Sequence, residues 1–263
     1  MRNDAVSVVS RQLGISKAEF HQNYESIGKA MIIRRDDMFV KEEGYFGRLM
    51  LSSFKLWAVY GYAGIRDYKR IPDIKLISGI HTEVVQKEDG ILYKMDPEKV
   101  MFSKGNKRER HILTETVHRD ETVLDMFAGI GYFSIPISFK VKRIYSCEIN
   151  PDSFHYLLIN KRINGARNLV AMLGNSSSIP MKGFSDRIIM GHFDSHKYLE
   201  KALLYLKKEG KIHLHSLATR GDYSSLYEKY GKHEYVEGVK VRKVKSYSPS
   251  HDHVVVDMDV KKH

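Results

Sequence analysis

The spacing of hydrophobic positions changes character partway along this 263-residue chain. The first hundred residues are mixed. "DAVSVVSRQLG" repeats its apolar residues at helical intervals, with Gly14 placed to close the helix, while "SIGKAMIIR" and "GILYKMD" read as strands and "IPDIKLISG" as a strand running into a turn. "FGRLMLSSFKLWAVYGYAG" is apolar and aromatic throughout and fits either period. From Asp120 strands and helices alternate. The predicted strands are "TVLDMF", "RIYSCEIN", "LVAMLGN", "SDRIIMG" and "GKIHLHSLA". The predicted helices are "YFSIPISFK", "PDSFHYLLINKRIN", "SHKYLEKALLYLK" and "DYSSLYEKYG". Pro151 falls in the first turn of the second helix and Gly165 just past its end, as their backbone preferences favour. "GVKVRKVKSYSP" and "DHVVVDMDV" are joined by a short link, which predicts an antiparallel pair, and the slip in alternation at Lys243 suggests a bulge. Together these predict an α/β domain over 98–263 with a mostly parallel sheet and an antiparallel terminal strand. A smaller α+β domain precedes it over 1–97, with no flexible linker between them.

The strand "TVLDMF" runs into "AGIGYFS", where Gly129 and Gly131 let a ligand approach the main chain closely. A dinucleotide fingerprint needs a third glycine to complete its pyrophosphate site, and here that position is Ser134. A phosphate-binding loop needs a lysine, which is absent from this one. Glu148 ends the next strand, where an acid can accept hydrogen bonds from both ribose hydroxyls. The motif reads as a nucleoside site without a pyrophosphate clamp, which S-adenosylmethionine fits, and the final strand pair suits the Rossmann-like sheet of class I methyltransferases. The plainer alternative is an ordinary strand-to-helix turn with a surface acid. Asn175, Ser176, Ser177 and Ser178 follow the third strand, either to bond adenine or as a helix cap.

Composition adds a partner class. Lys and Arg number 43 against 32 Asp and Glu, a formal net charge of +11, which favours polyanions and nucleic acid first. "FKLWAVYGYAGIRDYKR" interleaves Lys55, Arg66, Lys69 and Arg70 with Trp57, Tyr60, Tyr62 and Tyr68, either as an RNA-stacking surface or as core rings with solvated charges. Lys240, Arg242, Lys243 and Lys245 form a second candidate phosphate track. No apolar run approaches the roughly 20 residues that span a bilayer. The one cysteine, Cys147, reads as a small core residue, excludes an intramolecular disulfide and fits a reducing, cytoplasmic setting. The pairs His213 and His215, and His251 and His253, lack the accompanying cysteine or carboxylate set of a metal site, so no metal is expected. The sequence leaves the oligomeric state open.

Several segments together resemble one family. "FSKGNKRERHILTETVHRDETVLDMFAGIGYFSIPIS", "EINPDSFHYLLINKRIN", "SDRIIMG", "ESIGKAMIIR" and "IPDIKLISGIHTEVVQKEDGILYKMDPEKVMFS" are similar to the archaeal and eukaryotic tRNA guanine-37 N1-methyltransferases and to their relatives, the wybutosine-synthesis aminocarboxypropyltransferases. The methyltransferases hold guanine with an Asn-Pro-Pro or Asn-Leu-Pro motif after the fourth strand. This chain has Gly191, His192 and Phe193 there, and so resembles the aminocarboxypropyltransferases more. The resemblance implies transfer of the 3-amino-3-carboxypropyl group of S-adenosylmethionine to a tricyclic base at position 37 of tRNA, releasing methylthioadenosine. It implies a cofactor site at Ser103, Arg110, Glu148, Asn175 and Ser176, joined by Lys104, Phe127 and Gly129. Arg110 would pair with the methionine carboxylate; charge alone reads it as part of a solvated basic loop. N1-methylation and non-catalytic RNA binding on the same fold are the rival readings.

Overall fold

The computed structural model describes residues 2–14, 16–18, 20, 24–34, 43–66, 71–101 and 106–263. The chain divides into two units, Met1–Phe102 and Ser103–His263, a few residues beyond the break near 98.

In the first unit, α1 (Arg2–Leu13) precedes β1 (Tyr24–Ile27) and β2 (Ala30–Arg34), which are hydrogen-bonded antiparallel. "SIGKAMIIR" is therefore a hairpin rather than one strand. It reverses at Gly28, whose φ is +56° and whose substitution by any L-residue would drive a Cβ to 2.5 Å from the Val85 carbonyl oxygen. The segment that fits either period is both helix and strand: α2 (Glu43–Phe54) turns at Lys55, φ +52°, into β3 (Ala58–Arg66). The helix lies in the crossover that lets β2 and β3 pair in parallel, and β4 (Ile71–Gly79) closes the sheet antiparallel. Val6, Val9, Phe20, Met31, Ile33, Met50 and Val59 form its core. A separate hairpin, β5 (Val84–Glu88) and β6 (Ile91–Met95), turns at Asp89 and Gly90, both with positive φ.

The second unit opens with α3 (Lys107–Thr116) and then alternates as expected. In order come β7 (Thr122–Asp125), α4 (Ser134–Ser138), β8 (Arg143–Glu148), α5 (Pro151–Ile163), β9 (Leu169–Leu173) and β10 (Ser185–Met190). They are followed by α6 (Leu199–Tyr205), β11 (Leu206–Thr219), α7 (Ser224–Gly231), β12 (Val236–Ser246) and β13 (His251–Lys261). The sheet order is β12-β13-β11-β10-β7-β8-β9. Strands β11, β10, β7, β8 and β9 run parallel, and β13 runs antiparallel to both its neighbours. The last strand of the chain is thus one place in from the edge. The β12–β13 register slips between Lys243 and Lys245, the bulge that the alternation suggested.

Two helices are much shorter than their patterns: "YFSIPISFK" yields only the five residues of α4. "SHKYLEKALLYLK" becomes a 3₁₀ turn, Phe193–Tyr198, and then α6, which stops at Tyr205. There the Lys262 ammonium donates to the Leu203 carbonyl at 2.9 Å and also to that of Leu206, satisfying carbonyls at the helix end from the other end of the sequence. The strand accordingly begins at Leu206 instead of Gly210. α5 keeps its expected limits, with the Asn150 side chain accepting from the Asp152 amide at 3.0 Å and Gly165 at φ +68° beyond it.

Alternation along the sheet separates two faces. Leu124, Ile188, Leu214, Ile212, Val254, Val256 and Met258 point into an apolar core with Leu203, Leu226 and Tyr230. The intervening residues of the same strands include Arg187, His213, Asp257 and Arg242, all paired with one another or with carboxylates beyond the sheet. From β7 the chain proceeds to β8 on one side, while β10 lies on the other. The carboxyl ends of β7 and β10 therefore flank a topological switch point, where open α/β sheets bind ligands.

Candidate active site

The loop after β7 is stitched to both neighbouring strands: the Met126 amide donates to Ile189 O at 3.0 Å and the Ala128 amide to Cys147 O at 2.9 Å. Gly129 and Gly131 follow with φ of +56° and +99°, a conformation that favours glycine. At the end of β8, Glu148 accepts the Gly129 amide at 2.6 Å and the Asn150 amide at 2.7 Å, one on each carboxylate oxygen. Burial raises its pKa, and those amides oppose the rise. At the end of β7, Asp125 is fully buried and accepts the Ser134 hydroxyl at 2.6 Å and the Phe127 amide at 3.3 Å. Burial pushes its pKa up to about 7.

This arrangement tests the choice of nucleoside. A carboxylate already sits on the Gly129 amide, the kind of donor a pyrophosphate would need, and it would repel a phosphate. The same carboxylate suits a ribose diol, since each of its oxygens has further acceptor capacity. A phosphate-free nucleoside fits this loop.

The structure brings Phe127, Gly129, Glu148, Asn175 and Ser176 to the carboxyl edge of β7, β8 and β9. The Gly174 amide donates to Glu148 O at 2.9 Å, which holds the third strand end beside the second. Asn175 caps the short turn Ser176–Ser178 by accepting from the Ser177 amide at 2.9 Å, so the capping role is realised. Ser176 is buried. Arg110 is no loop residue. It lies in α3 only 4% exposed, with its guanidinium 5.8 Å from the ring centre of Tyr132 in the glycine loop. Ser103 and Lys104 lie outside the described residues, as do Tyr68, Lys69 and Arg70 of the basic-aromatic stretch. Within that stretch Tyr60 belongs to the core, whereas Trp57 is 57% exposed.

On the β10 side, His192 stacks on Phe127 with ring centres 5.7 Å apart and accepts the Asp194 amide at 3.1 Å. Tyr198 meets Phe127 edge-on at 5.4 Å. Phe193 stands edge-on to His253 at 4.8 Å and to the exposed Tyr247 at 5.2 Å. His215 and His253 are hydrogen-bonded at 2.8 Å, and burial holds His215 well below its usual pKa. Among the described residues no three His, Cys, Asp or Glu are grouped to hold a metal ion.

Two features escaped the sequence pattern. Ser134, which reads only as the residue replacing a third glycine, is the hydrogen-bond partner of Asp125. Arg242 and Lys243, read as phosphate contacts, are committed elsewhere: Arg242 to Glu109 and Asp257, Lys243 to Asp252 at 2.8 Å. The signal for the second was Asp252 and Asp257 on the final strand, to which the basic strand is joined by a short link.

The family model of the TRM5/TYW2 methyltransferase domain matches residues 84–241. The chain belongs to the TRM5/TYW2 family. Among TRM5/TYW2 relatives, the tRNA(Phe) (4-demethylwyosine(37)-C(7)) aminocarboxypropyltransferase of Methanocaldococcus jannaschii is 36% identical over 244 residues, covering 89% of this chain and 96% of that protein. The crystal structure of M. jannaschii TYW2 in complex with AdoMet superposes with a TM-score of 0.72 at 30% identity, covering 92% of this chain and 100% of that one. The tRNA (guanine(37)-N(1))-methyltransferase Trm5b of the same organism is 27% identical, covering 91% of this chain and 71% of that protein. The mostly parallel α/β sheet described above belongs to the fold this chain shares with that structure.

Proposed function

We propose that this protein transfers the 3-amino-3-carboxypropyl group of S-adenosylmethionine to C7 of 4-demethylwyosine at position 37 of tRNA(Phe), releasing methylthioadenosine. The observation that carries this reading is the near full-length likeness to the aminocarboxypropyltransferase, which exceeds the likeness to the methyltransferase of the same organism. The strand end at Gly191, His192 and Phe193 agrees, since none of these supplies the carboxamide or the rigid proline backbone of a guanine grip.

S-adenosylmethionine supplies a sulfonium with three carbons open to displacement. The ring carbon of the base attacks the methionine-side methylene; a carbon–carbon bond forms, the carbon–sulfur bond breaks, its electron pair goes to sulfur, and the ring carbon loses a proton. The methyl is the least hindered of the three, so the chain must choose by orientation. Glu148 holds the ribose hydroxyls, Asn175 and Ser176 lie toward adenine, and Gly129 and Phe127 shape the wall between. Arg110 pairs with the methionine carboxylate, a planar fork on a planar acceptor. The family resemblance adds Ser103 and Lys104 to the cofactor-binding set. The residues 1–97 help position the tRNA, and the protein works in the cytoplasm.

The test uses tRNA from a strain blocked at this step and donor labelled separately in its methyl and carboxyl carbons. Carboxyl label is expected in RNA, with methylthioadenosine released. Methyl label in unmodified guanosine-37 transcripts, with S-adenosylhomocysteine released, would replace the reading with N1-methylation. Binding of tRNA is expected to weaken steeply with salt, as phosphate neutralisation by a chain of net charge +11 requires.

A further inference from the structure

A chain of charged side chains crosses one face of the sheet and meets α3 at both of its ends. At the first turn of the helix, Glu109 is 2% exposed and takes both terminal nitrogens of Arg242 from β12, one of them at 2.6 Å. The Arg242 Nε donates to Asp257 on β13 at 2.7 Å. Asp257 bonds His213 Nδ1 on β11, and His213 Nε2 lies 2.6 Å from Arg187 Nη1 on β10. Arg187 then donates to Glu121 at 2.7 and 2.8 Å and to the carbonyl of Thr116, the last residue of α3, at 3.0 Å. Because the arginine can only donate, His213 Nε2 accepts and its Nδ1 carries the proton toward Asp257, so the ring is neutral. Charges of this kind are often replaceable by apolar residues without loss of stability. What they fix is geometry, and the element fixed here is α3, which carries Arg110 beside Glu109.

We propose that Glu109, Arg242, Asp257 and His213 are positioning residues that hold α3 so that the Arg110 guanidinium, above Tyr132, is aimed at the carboxylate of the group being transferred. The inference rests on the reading of Arg110 given above. It requires selectivity: the network serves the aminocarboxypropyl end of the donor and not its nucleoside end. Methylthioadenosine keeps the nucleoside and lacks that end, so the two ligands separate positioning from general loosening.

The experiment compares calorimetric affinities for S-adenosylmethionine and methylthioadenosine in the full chain and in folded Glu109→Gln and Asp257→Asn variants, with Arg110→Ala as reference. Circular dichroism melts establish that each variant is folded. Glu109→Gln is expected to weaken S-adenosylmethionine about tenfold and leave methylthioadenosine within about twofold, with Asp257→Asn shifted the same way by less. Equal loss for both ligands, or loss for neither, overturns the positioning role. If Arg110→Ala itself fails to distinguish the two ligands, the assignment of Arg110 falls and the positioning proposal falls with it. Transfer of methyl label in the unaltered protein would instead overturn the reaction while leaving the ligand comparison interpretable.

Discussion

The two faces of the seven-stranded sheet are built from the same strands by opposite means. On one, Leu124, Ile188, Ile212, Leu214, Val254 and Val256 are fully buried among other apolar residues, and any packing of similar volume would serve. On the other, Arg187, His213, Asp257 and Arg242 meet in one continuous series of hydrogen bonds, where each partner has its own required place. Area governs the first face and pairing the second. The glycine loop and both acids lie at the carboxyl edge, where the two faces end.

The contrast is broken most strongly by removing one charge. Arg187→Ala leaves the Glu121 carboxylate without its guanidinium and His213 Nε2 without its donor, and is expected to cost about 3–5 kcal/mol in chemical denaturation. Replacing the network by apolar residues of similar volume is expected to restore most of that loss. On the apolar face Leu214→Ala should cost about 2–5 kcal/mol through its cavity, and a second apolar residue of similar volume there should rescue it. A charged-face variant rescued by a single apolar residue would erase the distinction.

The strand ends respond to pH. Asp125 has its folded pKa raised by burial to about 7, above an unfolded value near 4, so the folded state binds more protons between them. Its contribution is fully present below about pH 4 and is lost as pH rises through about 7, on the order of a few kcal/mol. Urea unfolding across that window should show the decline, and Asp125→Asn should flatten it. The smallest expected effect is at Glu148, where Glu148→Ala should weaken S-adenosylmethionine by about 1.5–3 kcal/mol, roughly ten- to a hundredfold. Unchanged affinity in a folded variant would remove Glu148 from the site.

Much of the second unit was legible because it is built from local pattern. Pro151 and Gly165 bracket α5, and the acid after the glycines ends β8 with its carboxylate on the Gly129 amide. What stayed hidden depends on distant partners. A side chain at Gly28 is excluded by the Val85 carbonyl, and the carbonyls at the end of α6 are met by Lys262, both far along the chain. The β5–β6 turn was readable in Asp89 and Gly90, but the strand before it is short and only partly buried. Arg242 illustrates the limit. An arginine among lysines on a strand suggests solvent and phosphate until the strand is paired, when Glu109 and Asp257 appear on either side of it.

One thiol lies under the nucleoside site. Cys147 is 2% exposed, its Sγ donates toward Gly174 O at 3.3 Å, and burial pushes its pKa up to about 12. It is the only cysteine in the chain. An alkylating reagent can therefore react only when the structure around Cys147 opens, and the labelling rate becomes a clock for that opening. Under the proposed site, ligand held across Glu148 and Asn175 would tie those strand ends together and should slow the clock in proportion to its occupancy. Binding could then be followed in the native protein by mass alone, without a dye, a tag or a turnover.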